Sequence, residues 1–341
     1  MKFLVCVLAL FMAVSACGDD GDDDVPPDAA VPPDAPVPPD AGPPDADPAN
    51  PLRLASTGLY SDFENETLAD GVVEFAPEHV LWSDVATKRR WILIPDGAQI
   101  DTSNMNFWHW PQGTKLWKEF TRDDVRVETR YLYKYGPTSE DWFMMAYAWN
   151  EEQTEALAAR SGVQDALSTN HDIPSQSVCA KCHGRVEDVA LGASAIQLDH
   201  DGPGLTLADL IADDRLTDPP AGALDIPGTA VEQAALGYFH VNCGTCHNDY
   251  SDVQDKVDMR LMLTVETLGA VTTTPVYTTA VGVEPNRSTE GATYLIEAGN
   301  SAASAVHIRM SVRGPISMPP VGSEDVDTVG LAAVDAWIDS L

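Results

Sequence analysis

Positive charge is the scarcest commodity in this chain: 20 lysines and arginines face 53 aspartates and glutamates, a formal net charge of -33. A nucleic-acid partner, which has to be met by a basic patch, is therefore excluded, and an anionic lipid surface would be repelled. The shortage is sharpest over residues 18–51, which carry ten aspartates and no lysine or arginine. Long hydrophobic runs are missing too. The one at residues 3–14 is too short for a comfortable membrane span. Cysteine is sparse, with six in all, and once each has a role none is left for a disulfide framework.

What is present begins with an export signal. Met1-Lys2 is a positive start, residues 3–14 are apolar, and Val14-Ser15-Ala16-Cys17 resembles a bacterial lipobox, so residues 1–16 read as a signal peptide and Cys17 as the lipidated first residue of the mature chain. A plain cleaved signal is the alternative, and both readings place the body outside the cytoplasm. Residues 17–51, with repeats such as Val31-Pro32-Pro33-Asp34, cannot build a core and favour solvated polyproline II. At about 3.1 Å per residue this tether reaches on the order of 100 Å from a membrane. From residue 52 onward 43 acidic residues still face 19 basic ones, a net charge of -24, which would steer a basic redox partner toward the body.

Residues 52–150 are β-rich. Strands are expected at 89–95, 114–120, 125–135 and 141–149, with a hairpin turn at Arg122-Asp123-Asp124, and an antiparallel sandwich or open barrel with a Trp- and Tyr-rich core is the expected architecture. Asn150 followed by Gln153 predicts a helix over 150–167. Capping boxes at Thr206 and Thr229 open two more, and residues 301–312 read as another. Val326, Val329, Ala333, Val334, Trp337, Ile338 and Leu341 share one face of a C-terminal helix, while residues 261–283 have the β-branched character of a hairpin.

The four remaining cysteines fall in two identical spacings, Cys179-Ala180-Lys181-Cys182-His183 and Cys243-Gly244-Thr245-Cys246-His247. Cys-x-x-Cys-His is the pattern of covalent haem attachment, in which two thiols hold the cofactor and the histidine faces the iron. Two haem c groups are expected, held by Cys179, Cys182, Cys243 and Cys246, with His183 and His247 as proximal ligands. Zinc binding and thiol exchange are the alternatives for the first motif. His183 and the export signal favour haem there.

Residues 228–341 resemble a class I cytochrome c domain. The resemblance rests on a helix leading into Cys243, the motif itself, Ser317-Met318-Pro319-Pro320, and Ala336-Trp337-Ile338 in a final helix. It implies Met318 as the distal ligand of the second haem. Met310 is the fallback, and Met259 and Met262 also lie in the long stretch between motif and Met318. The first haem has no such loop. His200, in the polar turn 199–202, is its expected distal ligand, with His171, Met144, Met145 or an open position as alternatives. His109 reads as structural, and His240 and His307 as helix residues at the surface.

The body also resembles a group of exported bacterial dihaem cytochromes, through Leu81-Trp82-Ser83-Asp84, Lys88-Arg89-Arg90-Trp91, Pro111-Gln112-Gly113-Thr114, Tyr147-Ala148-Trp149-Asn150 and Val241-Asn242-Cys243. The expected whole is an α+β chain: an antiparallel β-rich domain over 52–150, a mostly helical first haem region over 151–227, and the cytochrome c-like domain over 228–341. Electron transfer with redox partner proteins, from a lipid anchor on a bacterial membrane, is the implied role. A dihaem peroxidase or oxidase, and a binding module built on residues 52–150, are the rival readings.

Overall fold

Alternating apolar and polar residues pair into strands where the sequence places them. The computed structural model describes residues 51–341; the expected signal peptide, Cys17 and the tether up to residue 50 lie outside the described residues. β1 (Tyr60–Asp62) and β2 (Thr67–Leu68) form a small antiparallel pair. β3 (Val72–Glu74), β4 (Thr87–Leu93), β5 (Lys115–Arg122), β6 (Val125–Lys134), β7 (Trp142–Trp149) and β8 (Ala156–Ala158) make a six-stranded antiparallel sheet in sequential order. This is an open meander rather than the expected sandwich or barrel. Asp123 and Asp124 both have positive φ, 51° and 63°, so Arg122 pairs directly with Val125 across a two-residue primed turn whose twist matches the strands.

The two faces of the sheet have different work. Trp91, Trp117, Tyr131, Tyr147 and Trp149 point to one side and pack against Leu54, Leu59 and Tyr60, the aromatic core anticipated above. Ile92, Leu116, Leu132 and Trp142 point to the other, where they join a core that runs through the helical half as far as Ile338.

That half contains α1 (Ala180–His183), α2 (Ala195–Leu198), α3 (Leu207–Ala212), α4 (Ala230–Asn242), α5 (Pro275–Ala280), α6 (Ala305–Met310) and α7 (Thr328–Ser340). Thr206 and Thr229 form complete capping boxes with Asp209 and Glu232, each satisfying two otherwise orphaned donors. The chain is thus of mixed α+β class. No helix of the described residues is long and apolar enough to cross a membrane.

Three expected elements differ. Residues 150–167 are turns and β8 rather than a helix, because Asn150 Oδ1 takes the N–H groups of Thr154 and Glu155 and Gln153 bonds back to Asn150 O and Arg126 O. These local side-chain bonds compete with helix formation. Residues 261–283 form single turns and α5 instead of a hairpin, since Thr274 caps Pro275 at the first helical position. In α7 the buried residues are Gly330, Val334, Trp337 and Ile338, whereas Val329 is 79% exposed. The rotation follows from packing on α4: Trp337 meets Phe239 edge-on at 5.9 Å, and Gly330 lies against Tyr238, where a Cβ would come within 2.0 Å of the ring.

Candidate functional site

Both Cys-x-x-Cys-His motifs sit on tight helical turns. Cys179 to His183 runs from a 3-10 turn into α1, and His183 N–H donates to Cys179 O at 3.0 Å. Cys243 caps the C-terminus of α4, and His247 N–H donates to Cys243 O at 2.9 Å. In each, one helical turn carries the histidine back over the first cysteine. The four cysteines are free thiols, each half-buried.

The histidines are set alike. His183 Nδ1 lies 2.8 Å from Val189 O, so Nδ1 carries the proton and Nε2 keeps its lone pair. His247 Nδ1 is buried beside the Met259 carbonyl, which favours its protonated form without completing a hydrogen bond. Burial brings both rings down to a pKa of about 4, so both are neutral at pH 7, as metal-ligating imidazoles must be.

The Val189 carbonyl is aimed by a buried ion pair. Asp188 and Val189 have positive φ, 56° and 45°, an uncommon conformation for such residues. Asp188, 1% exposed, holds it by accepting from Trp142 Nε1 at 2.7 Å, from Trp110 N–H and from Lys134 Nζ, which is itself 1% exposed. The sheet thereby fixes the loop that orients His183.

The two motifs are also tied to each other. Asn248 Nδ2 donates to Gly244 O, Thr245 O and Arg185 O at 2.8–3.0 Å, and its Oδ1 accepts from Tyr250 and Ser251 N–H. Arg185, two residues past His183, reaches Cys246 Sγ at 3.4 Å and Asp252 at 3.0 Å. Cys182 and Cys246 are close enough to raise the cost of a thiolate on Cys182. Neither Asn248 nor Arg185 stands out in the sequence; they lie one and two residues past a motif histidine, and that is their only signal.

These thiols suit modification rather than exchange or zinc. Burial raises Cys179 and Cys182 and pushes Cys243 up to about 12, whereas an exchange motif needs a lowered thiol. A closed zinc site needs four donors about one point. Among the described residues no three histidines, cysteines or carboxylates converge in that way. Free paired thiols with a neutral histidine fit covalent haem attachment at both motifs, and at the first the histidine is also tied through Nδ1.

The expected distal ligands fare differently. The Met318 loop is pinned by Met318 N–H donating to Arg309 O at 2.9 Å and by Arg313 donating to Met318 O and Pro319 O. His200 Nε2 lies 2.7 Å from Ala76 O and Nδ1 accepts from Gly202 N–H, so both nitrogens carry hydrogen bonds in an exposed turn. His171 Nε2 is held 2.9 Å from buried Glu128. Met145 is in the aromatic core on the far face, and Met310 packs in the helical core. Met144 is half-buried against that helical core, and Met259 is buried within it.

His240 is a correction. It is buried rather than at the surface and accepts Leu263 N–H on Nδ1, which puts its proton on Nε2. It lines a crevice together with His79, Met262, Val186, Ala190 and Thr245. His79 has both ring nitrogens without a hydrogen bond among the described residues, and no sequence pattern marked it. His109 is structural as expected, pairing in a bridge with Asp101 and with Glu187 at 3.3 Å, and His307 is half-exposed and paired with Asp335 at 2.7 Å. Comparison of the chain with known protein families, with curated proteins and with solved structures finds no match in any of the three.

Proposed function

We propose that this chain is a dihaem c-type cytochrome that carries electrons outside the cytoplasm, tethered through Cys17 to a bacterial membrane. One observation carries the reading: two Cys-x-x-Cys-His turns lie side by side, joined by Arg185 and Asn248, each with a histidine that burial keeps neutral, the first tied through Nδ1 to Val189 O. Cys179, Cys182 and His183 would hold one haem, and Cys243, Cys246 and His247 the other. Bound haem supplies a one-electron iron couple, which the protein tunes through ligand, burial and charge.

What the residues contribute is attachment, orientation and exclusion of water. Asp188 and Lys134 fix the carbonyl that orients His183, while α4 and α7 seal the second motif behind Phe239 and Trp337. Adjacent attachment points favour transfer between the two centres, and Met318 remains the proposed distal ligand at the second, as the class I cytochrome c resemblance implies. The acidic body favours a basic redox partner.

A peroxidase- or oxidase-type reading is favoured by one observation, that His200 and His171 are both committed elsewhere. It would leave the first haem open to small ligands. The deciding experiment is carbon monoxide addition to the reduced full chain from a host with haem-ligation machinery, with a pyridine haemochrome count. Two haems with no carbon monoxide shift support the carrier; two haems with one shifting support the enzyme. A colourless chain overturns both.

A further inference from the structure

Arg90, Lys118 and Arg130 are direct cross-strand partners on β4, β5 and β6. They occupy the face opposite Trp91, Trp117 and Tyr131, and so point toward the helical half. Three cations in one row is unusual in a chain so poor in positive charge. One carboxylate serves them: Glu128 accepts from Arg130 Nε at 3.0 Å and Nη2 at 2.6 Å, and is shared with His171.

The other two cations have no acceptor. Arg90 is 7% exposed, and its guanidinium makes no hydrogen bond or ion pair among the described residues. Burial alone brings its guanidinium down to about 10. Lys118 has only the Phe120 ring at 4.8 Å, and both burial and the neighbouring Arg90 and Arg130 depress its amine. Cations elsewhere on the sheet are matched: Arg89 forms a two-point bond to Glu74, and Lys134 meets Asp188. A buried, unpaired guanidinium is strongly disfavoured unless an anion meets it.

The position says which anion. Arg90 and Lys118 line the crevice that also borders Val186, Ala190 and Thr245. Arg130 pairs across to Ala146 on β7, and Gln176, three residues before Cys179, donates to Met144 O of that strand at 2.9 Å, while Val189, whose carbonyl holds His183, lies between the crevice residues Val186 and Ala190. Whatever is attached at the first motif lies beside this row, and haem bears two carboxylate side chains that an arginine binds at two points. We propose that Arg90, Lys118 and Arg130 form a cradle for the propionate carboxylates of the haem attached at Cys179 and Cys182. This assignment rests on the dihaem reading.

The test uses the full holoprotein with Arg90→Gln and Lys118→Gln, singly and together, and Arg89→Gln on the opposite face as control. Resonance Raman spectra report the propionate bending bands, and potentiometry the two midpoint potentials. The expected result is two haems retained, shifted bands for one haem and a lowered potential for that haem alone, with Arg89→Gln unchanged. If the double variant does not accumulate, Arg90→Lys keeps the charge and loses the two-point geometry, and it should still shift the bands. Two haems with unshifted bands overturn the cradle and leave the dihaem reading standing. Saturable perturbation of the wild-type spectrum by sulfate, abolished in Arg90→Gln, assigns the row to a diffusible oxyanion and overturns it as well. A colourless chain overturns the dihaem reading and the cradle together.

Discussion

Asp188→Asn is the most informative single change outside the motifs. It leaves Lys134, 1% exposed, without its counter-charge and beside the Trp142 ring at 5.3 Å, and because Trp110 N–H and Trp142 Nε1 address different carboxylate oxygens, the single amide oxygen keeps only one of those two bonds. Breaking one side of a buried ion pair costs about 3–5 kcal/mol, most of it the burden of the orphaned charge. For a body of this size about 2 °C is lost per kcal/mol, so the melting temperature should fall by roughly 6–10 °C. The same change loosens the turn that carries Val189 O to His183. Differential scanning calorimetry gives the stability, and the Soret spectrum of each haem gives the site. Lys134→Met combined with Asp188→Asn removes both charges and should recover most of the loss. A single Asp188→Asn variant within about 1 kcal/mol of wild type, with unaltered spectra, would refute the claim that this pair positions the first motif.

Gly330→Ala drives a methyl into Tyr238 and should cost about 1–3 kcal/mol in urea unfolding through overpacking of α7 on α4. Glu119 is 4% exposed, its Oε2 without a hydrogen bond and 3.9 Å from Arg126 Nη1, and burial outweighs that cation and pushes its carboxyl from 4.5 up to about 7. The folded state therefore holds a proton that the unfolded chain has released, and stability should fall by up to about 3 kcal/mol as pH rises from about 4.5 to 7. Glu119→Gln should flatten that segment of a stability-against-pH curve, and an unchanged slope would remove Glu119 as its source. Met318→Ala should abolish the sulfur-to-iron charge-transfer band while keeping both haems attached; a retained band would move the ligand elsewhere.

Local chemistry made much of the fold legible. The strands over 87–149 were readable from alternation, the primed turn from Asp123-Asp124, and α3 and α4 from their capping boxes. Reading failed where side chains compete with the backbone, as with Asn150 and Gln153, and where a helix is rotated by its neighbour, as Gly330 and Tyr238 rotate α7. The two Cys-x-x-Cys-His motifs were legible because the proposed cofactor chemistry demands adjacent residues of given types. Asp188, Lys134, Asn248 and the Arg90–Lys118–Arg130 row were not, because they act across 46 residues or more of chain or across strands, and one sequence carries no sign of such pairings. His200 looked like a free imidazole in a polar turn; only the fold brings Ala76 O to it.

The central claim is that each Cys-x-x-Cys-His turn carries one covalent haem. Intact-mass spectrometry of the full chain, made in a host with haem-ligation machinery, tests it when set beside Cys179→Ala/Cys182→Ala and Cys243→Ala/Cys246→Ala variants. The account predicts a mass increment of two haems in the wild type and of one in each variant, all resistant to acid-acetone extraction. A wild-type mass without haem, or a metal removed by chelation, would contradict it.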